Sequence, residues 1–198
     1  HVLNVVDYGD ILPDNLSSEL ALAHIKQMIA ETADTGAVPF VVGGDTSILY
    51  PVVAGIAQNQ GRENVGLVHF SAHPDVDLNA VQTISDQQVV SKLIVDSVLK
   101  GKDVVHVGMR GNAVNASSLT KMRGMGIRYH TMAQINEDSF ESVFKKIKRE
   151  VRKGPKKWFI SVDASVLRPS DMIAAGRVVA GGMPVEDLVK AVRYLCAA

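Results

Sequence analysis

Val65-Gly66-Leu67-Val68-His69-Phe70 runs directly into Ser71-Ala72-His73-Pro74-Asp75. A short apolar run of about six residues has the length of a buried strand, and here it ends in a loop that carries an imidazole and a carboxylate. The same juxtaposition occurs twice more. Val38-Pro39-Phe40-Val41-Val42 leads into Gly43-Gly44-Asp45-Thr46, and Trp158-Phe159-Ile160-Ser161-Val162 leads into Asp163-Ala164-Ser165-Val166-Leu167-Arg168-Pro169. In open α/β sheets the site lies beyond the carboxyl ends of the strands, where loops converge on a rigid frame. Three strand exits with polar residues of this kind therefore point to one site assembled from three loops.

Outward from these runs, Val104-Val105-His106-Val107-Gly108 and Ile127-Arg128-Tyr129-His130 complete the strand candidates. Between them, Ser17 to Thr35 places Leu20, Ala23, His24, Gln27 and Met28 with helical spacing. Asp86 to Leu99 and Glu137 to Arg152 repeat that pattern, with Lys and Arg gathering toward the C-terminal turns. Pro184 suits the first turn of a last helix that runs to about Leu195. Short strands alternating with longer helices predict βαβ units around a parallel sheet buried on both faces. The fold class is α/β, a three-layer α/β/α arrangement with a mostly parallel, doubly wound sheet.

The chain has 198 residues, 46% of them hydrophobic, enough for one substantial core. It shows no repeat, low-complexity tract or linker, and it begins without Met. It reads as a single domain over 1–198, incomplete at its N- and C-termini. Twenty-one basic residues balance twenty-one acidic ones, so no summed field draws in nucleic acid or an anionic membrane. The basic run Lys145-Lys146-Ile147-Lys148-Arg149 with Arg152-Lys153 is interleaved by Val143, Phe144, Ile147 and Val151 at helical spacing, which predicts a solvated helix face rather than a nucleic-acid stripe. No apolar run approaches the roughly 20 residues that span a bilayer, and the start His1-Val2-Leu3 lacks a basic segment followed by a long apolar stretch. The lone Cys196 excludes an internal disulfide and reads as a small core residue near a helix end. A cytoplasmic setting follows as the default.

The three loop motifs resemble those of the ureohydrolase family of arginases and agmatinases, whose patterns are Gly-Gly-Asp-His, Asp-Ala-His-x-Asp and Ser-x-Asp-x-Asp-x-x-Asp-Pro. The resemblance extends to Asp7-Tyr8-Gly9-Asp10, Val107-Gly108-Met109-Arg110, Gly124-Met125-Gly126-Ile127 and Gly181-Gly182-Met183. It implies the arginase-like fold. It also implies that two manganese ions with a bridging hydroxide, which attacks a guanidinium carbon, would be held at Thr46, Ser71, His73, Asp75, Asp163 and Ser165. Only His73, Asp75 and Asp163 retain a ligand type. In this the chain resembles the arginase-like type without a metal cluster that trypanosomes carry.

Electrostatics sharpens the point. Two unit charges about 4 Å apart interact by roughly 4 kcal/mol at an effective dielectric of 20, so two divalent ions at that spacing repel by about four times as much. The family supplies four carboxylates against that repulsion; Asp75 and Asp163 supply half of them, and an Asp position of the family is Arg168. Hydroxyls are weak ligands for manganese. A binuclear centre is therefore not expected. One weakly held ion on His73, Asp75 and Asp163 is the alternative. The hydrogen-bonded reading has Asp75 accepting backbone N–H groups of its loop, His73 donating to a carboxylate such as Asp163, and Asp45 capping the helix that follows it. A family histidine implicated in proton transfer would fall near Asp86, and no histidine lies between His73 and His106. The family's Gly-Thr-x-x-x-Gly-Gly stretch carries Arg177. His69 and His106, inside apolar runs, read as satisfied sheet residues, with His24 on a helix face and His130 at a strand edge.

Three functions stay open: a silent ureohydrolase homologue with a structural, regulatory or ligand-binding role; a hydrolase of a guanidino or amidine substrate with a single or rearranged metal site; and another small-molecule enzyme on the same frame. The resemblance implies a homotrimer. The small-molecule ligand is not named by the sequence.

Overall fold

The computed structural model describes residues 4–11, 17–61, 64–77 and 84–197, so the opening His1-Val2-Leu3 lies outside the described residues. Four parallel strands form the sheet: β1 (Val65–Phe70), β2 (Val104–Met109), β3 (Arg128–Thr131) and β4 (Lys157–Val162), in the order β3-β2-β1-β4. The chain steps outward from β1 to β3 and then returns to the far side of β1. Right-handed crossovers in opposite directions place their helices on opposite faces, and the packing follows that rule. On one face α2 (Leu49–Gln60), α3 (Val89–Val95) and α4 (Ala116–Gly124) bury Val53, Ala57, Leu93 and Met122 against Leu67 and Val104. On the other, α5 (Met132–Asp138), α6 (Phe140–Arg152) and α7 (Val185–Cys196) bury Ile135, Phe144, Ile147 and Ala191 against Val68, Phe70 and Val105. Because successive residues of a strand face opposite ways, β1, β2 and β4 feed both cores.

α1 (Ser18–Asp34) fills its expected span. The Ser17 hydroxyl accepts the Leu20 N–H, and Asn59 of α2 donates to the Ala30 carbonyl at 2.6 Å. α6 buries Val143, Phe144, Ile147 and Val151, leaves Lys145, Lys146, Arg149 and Arg152 exposed, and stacks Phe144 against Phe70 at 6.2 Å between ring centroids. Lys148 lies 4.4 Å from the centre of the Tyr194 ring and donates to the Tyr194 and Ala197 carbonyls at the end of α7.

Several sequence expectations give way. Val38–Val42 forms no strand: Val38, Phe40 and Val42 are 92%, 93% and 83% exposed. Pro39 removes a ladder donor, and no described strand lies alongside to supply partners. The helix expected over Asp86–Leu99 shrinks to α3, which ends at Val95, two residues before Ser97 with its φ of 55°. The single helix expected over Glu137–Arg152 is two helices, broken at Ser139 (φ 69°), whose hydroxyl accepts the Ser142 N–H to start α6. Cys196 is exposed rather than buried, because it falls on the outer side of the last turn of α7.

Candidate functional site

The strand order reverses between β1 and β4, and open sheets bind ligands beyond the strand ends at such a reversal. The ladder continues past the strands there: Asp163 N–H donates to Phe70 O at 2.8 Å, Ser71 N–H to Val107 O at 3.1 Å and Arg110 N–H to Ala72 O at 3.0 Å. A bulge after Val107 brings the loops together at Gly108, which has φ 98° and would place a Cβ 2.5 Å from Val166 Cγ2. Arg110 then ties two loops to the end of β2. Its guanidinium donates to the carbonyls of Ser165, Val166, Leu167, Val179 and Ala180 at 2.9–3.2 Å. The sequence marked Arg110 only as part of a motif and gave no sign of this clamp.

The six positions expected to be metal ligands meet at this place, but hydroxyls join them. Ser71 Oγ stands 3.2 Å from both Asp75 Oδ2 and Asp163 Oδ2, and Thr46 Oγ1 donates to Asp163 Oδ2 at 3.2 Å. Ser165 Oγ accepts the Ala72 N–H at 3.2 Å. Burial pushes the Asp163 carboxyl up, but the Ser165 N–H and hydroxyl, the charge of His69 and the Thr46 hydroxyl outweigh it, leaving Asp163 below the ordinary aspartate value. Asp45 caps the short turn before α2, as expected, by accepting the Ser47 N–H at 2.8 Å.

Two details differ from the hydrogen-bonded reading. His73 Nε2 lies 3.3 Å from the Arg177 carbonyl, not against Asp163. Among the described residues the Asp75 carboxylate meets side chains rather than loop N–H groups: His69 Nε2 at 3.1 Å, Ser71 Oγ at 3.2 Å and an Arg177 amino nitrogen at 3.3 Å. Arg177 also pairs with Asp86 at 3.0 Å, so Asp75, Arg177 and Asp86 form a chain of charges over the loop. Arg168 is exposed, and its guanidinium has no polar partner among the described residues. A cleft of about 330 Å3 opens beside this chain, lined by His73, Asp75, Asp77, Asn115, Lys121 and Arg177 among others.

One imidazole, two carboxylates and three hydroxyls, with Ser71 and Thr46 spent on the carboxylates, do not fit a pair of manganese ions. A different donor group lies deeper. The parallel register sets His69 of β1 beside His106 of β2, their ring centroids 4.9 Å apart and nearly perpendicular. With Asp75 they bring three potential ligand atoms within 4.8 Å of one another, all buried, and such a group could hold a metal ion. His69 is satisfied, by Ser161 Oγ at Nδ1 and Asp75 at Nε2, both at 3.1 Å. His106 is not: neither ring nitrogen has a hydrogen-bond partner among the described residues, the His73 backbone facing the ring without reaching bonding geometry. Burial, followed by repulsion from His69, holds His106 well below the ordinary histidine value, hence neutral. For His69 alone a signal was present in the sequence, since period two puts it on the same face as Ser71.

A sequence profile of the arginase family matches residues 1–198. The chain belongs to the arginase family. Among its relatives, the formimidoylglutamase of Bacillus subtilis (strain 168) is 27% identical over 158 residues, 80% of this chain and 49% of the relative. The guanidinobutyrase of Pseudomonas aeruginosa is 26% identical over 192 residues, 96% of this chain and 59% of the relative. The crystal structure of the Bacillus subtilis formimidoylglutamase superposes with a TM-score of 0.90 at 26% identity, over 97% of this chain and 60% of that one. This arginase-family chain thus spans 49% and 59% of the lengths of the two relatives, and its parallel sheet with helices on both faces is their fold.

Proposed function

We propose that this chain is an arginase-family homologue that does not hold the family's manganese pair and does not hydrolyse guanidino substrates, serving instead a structural, regulatory or ligand-binding role. The observation that carries the reading is the Ser71 hydroxyl, which stands 3.2 Å from each of the two surviving carboxylates. It offers a neutral donor at a position where the family has a metal-bridging carboxylate. The Arg177 guanidinium adds a fixed positive charge against Asp75, which further disfavours cations on that side of the carboxylate. For a ligand, the cleft beside Arg177 and Lys121 is the place to look. The test is manganese-dependent release of urea from arginine, agmatine and guanidinobutyrate, and of formamide from formimidoylglutamate. No release above a blank is expected, and release that depends on manganese would overturn the reading.

A hydrolase of a guanidino or amidine substrate with a rearranged metal site is the second reading. The His69, Asp75 and His106 group supports it, as do the relatives named for amidine hydrolysis. The enclosure of that group weighs against it, since His69 and His106 are fully buried and neither lines the cleft. A homotrimer and a cytosolic setting belong to the proposal as well. The exposed apolar side chains Val38, Phe40, Val42 and Ile173 support self-association, and the lone cysteine suits a reducing compartment.

A further inference from the structure

We infer that His69, Asp75 and His106 form a buried, structural site for a single borderline divalent cation of the zinc class, distinct from the family's ligand positions and sharing only Asp75 with them. The backbone pre-sets the site. Parallel register places the two histidines side by side on one sheet face, and the left-handed backbone at Asp75 (φ 51°), a conformation aspartate tolerates better than most residues, turns its carboxylate back over the strand that precedes it. His69 Nε2 and Asp75 Oδ2 are 3.1 Å apart. Two donors on a tetrahedral zinc ion, with bonds of about 2.0–2.1 Å, stand roughly 3.3 Å apart, so this edge is close to its bound length. All three donors already lie within 4.8 Å.

His106 supplies the independent sign of a ligand. Among the described residues, both of its ring nitrogens are without a partner inside a fully buried ring, and native proteins rarely leave such groups unpaired. The surroundings suit an ion. With the Ser161 hydroxyl accepting from Nδ1 of His69, the ring keeps its proton there, and a metal ion would take the place of the proton that Nε2 shares with Asp75, the kind of outer-shell support that ligating histidines have. Asp75 divides its two oxygens: Oδ1 faces Arg177, and Oδ2 faces the histidines. Two imidazoles with one carboxylate favour zinc over manganese, which prefers oxygen donors. Because His69 and His106 do not line the cleft, the ion would hold β1, β2 and the Ser71–Asp75 loop together rather than meet substrate.

Chelator-stripped protein titrated with zinc by calorimetry, with thermal unfolding recorded in parallel, tests the assignment. One zinc per chain and a rise in Tm are expected. His69→Gln and His106→Leu should each weaken binding by at least 100-fold, while His73→Asn should leave it within a few-fold. His106→Leu also guards against misfolding as an explanation, since it replaces unpartnered nitrogens with apolar atoms and should leave the metal-free protein at least as stable. Absence of zinc binding, binding that survives His106→Leu, or binding lost in His73→Asn would overturn the inference. Two manganese ions per chain alongside an intact zinc response would overturn the proposed function alone, so the two failures can be told apart.

Discussion

At the scale of single residues, the site turns on which groups carry protons. Ser71 lies between two carboxylates with one proton to offer, and Thr46 brings a second hydroxyl to Asp163. Ser71→Ala leaves Asp75 and Asp163 facing each other without that donor, and a loss of about 1–3 kcal/mol in unfolding free energy is expected from urea denaturation. The opposite change is more telling. Ser71→Asp with Ser165→Asp and Thr46→His restores carboxylate or imidazole at all six family positions, and manganese binding should appear stepwise in calorimetry, with Ser71→Asp contributing most because it would face both ions. Urea release need not accompany it, since Arg177 still pairs with Asp75 and Asp86. A triple variant that binds no manganese would show that the residue correspondence is wrong. The convergence of the six positions was legible in the sequence, because strand exits in a parallel sheet share one end. The orientation of His73 and the role of His106 were not: these depend on cross-strand register and on the path of the 177–180 loop, which no local pattern encodes.

At the scale of elements, α6 and β3 show how an ion pair couples packing to pH. Burial alone would raise the Glu150 carboxyl, but the bond from His130 at 3.1 Å, the His130 charge, and Arg128 and Lys146 nearby outweigh it and leave Glu150 below its ordinary value. A carboxyl lowered in the folded state stabilises at pH above its unfolded value, and the contribution is lost as pH falls through the folded value. Glu150→Gln should therefore cost stability near neutrality, and the difference from the parent should shrink as urea midpoints are followed below about pH 4.5. A difference that grew on acidification would contradict this. Phe144, stacked on Phe70 and buried, should cost about 3–5 kcal/mol when replaced by alanine. Amphipathic spacing made α1 and α6 legible and Pro184 marked the start of α7, with helix ends shifted by a residue or two for α1 and α7. The break at Ser139 was not, because apolar spacing runs across it while the local hydroxyl cap decides the boundary. Val38–Val42 failed for a related reason: strand propensity needs a neighbouring ladder, and none of the described strands provides one.

At the scale of the whole molecule, the reversal between β1 and β4 explains why one end of the sheet gathers the polar loops, and Arg110 explains how they are held. Arg110→Lys cannot reproduce the planar fork that reaches five carbonyls. It should lower stability by about 1–3 kcal/mol and raise hydrogen exchange in residues 165–167 and 179–180, a pattern that a purely global loss of stability would not produce. No helix among the described residues is long and apolar enough to cross a membrane; the trimer that the family resemblance implies is tested by light scattering, with a monomer at micromolar concentration counting against it. The manganese content of the protein decides between the two readings. Elemental mass spectrometry on protein equilibrated with excess manganese and then desalted measures it directly: the hydroxyl-for-ligand exchanges at Thr46, Ser71 and Ser165 lead us to expect no manganese pair, whereas two manganese ions retained per chain would contradict the account.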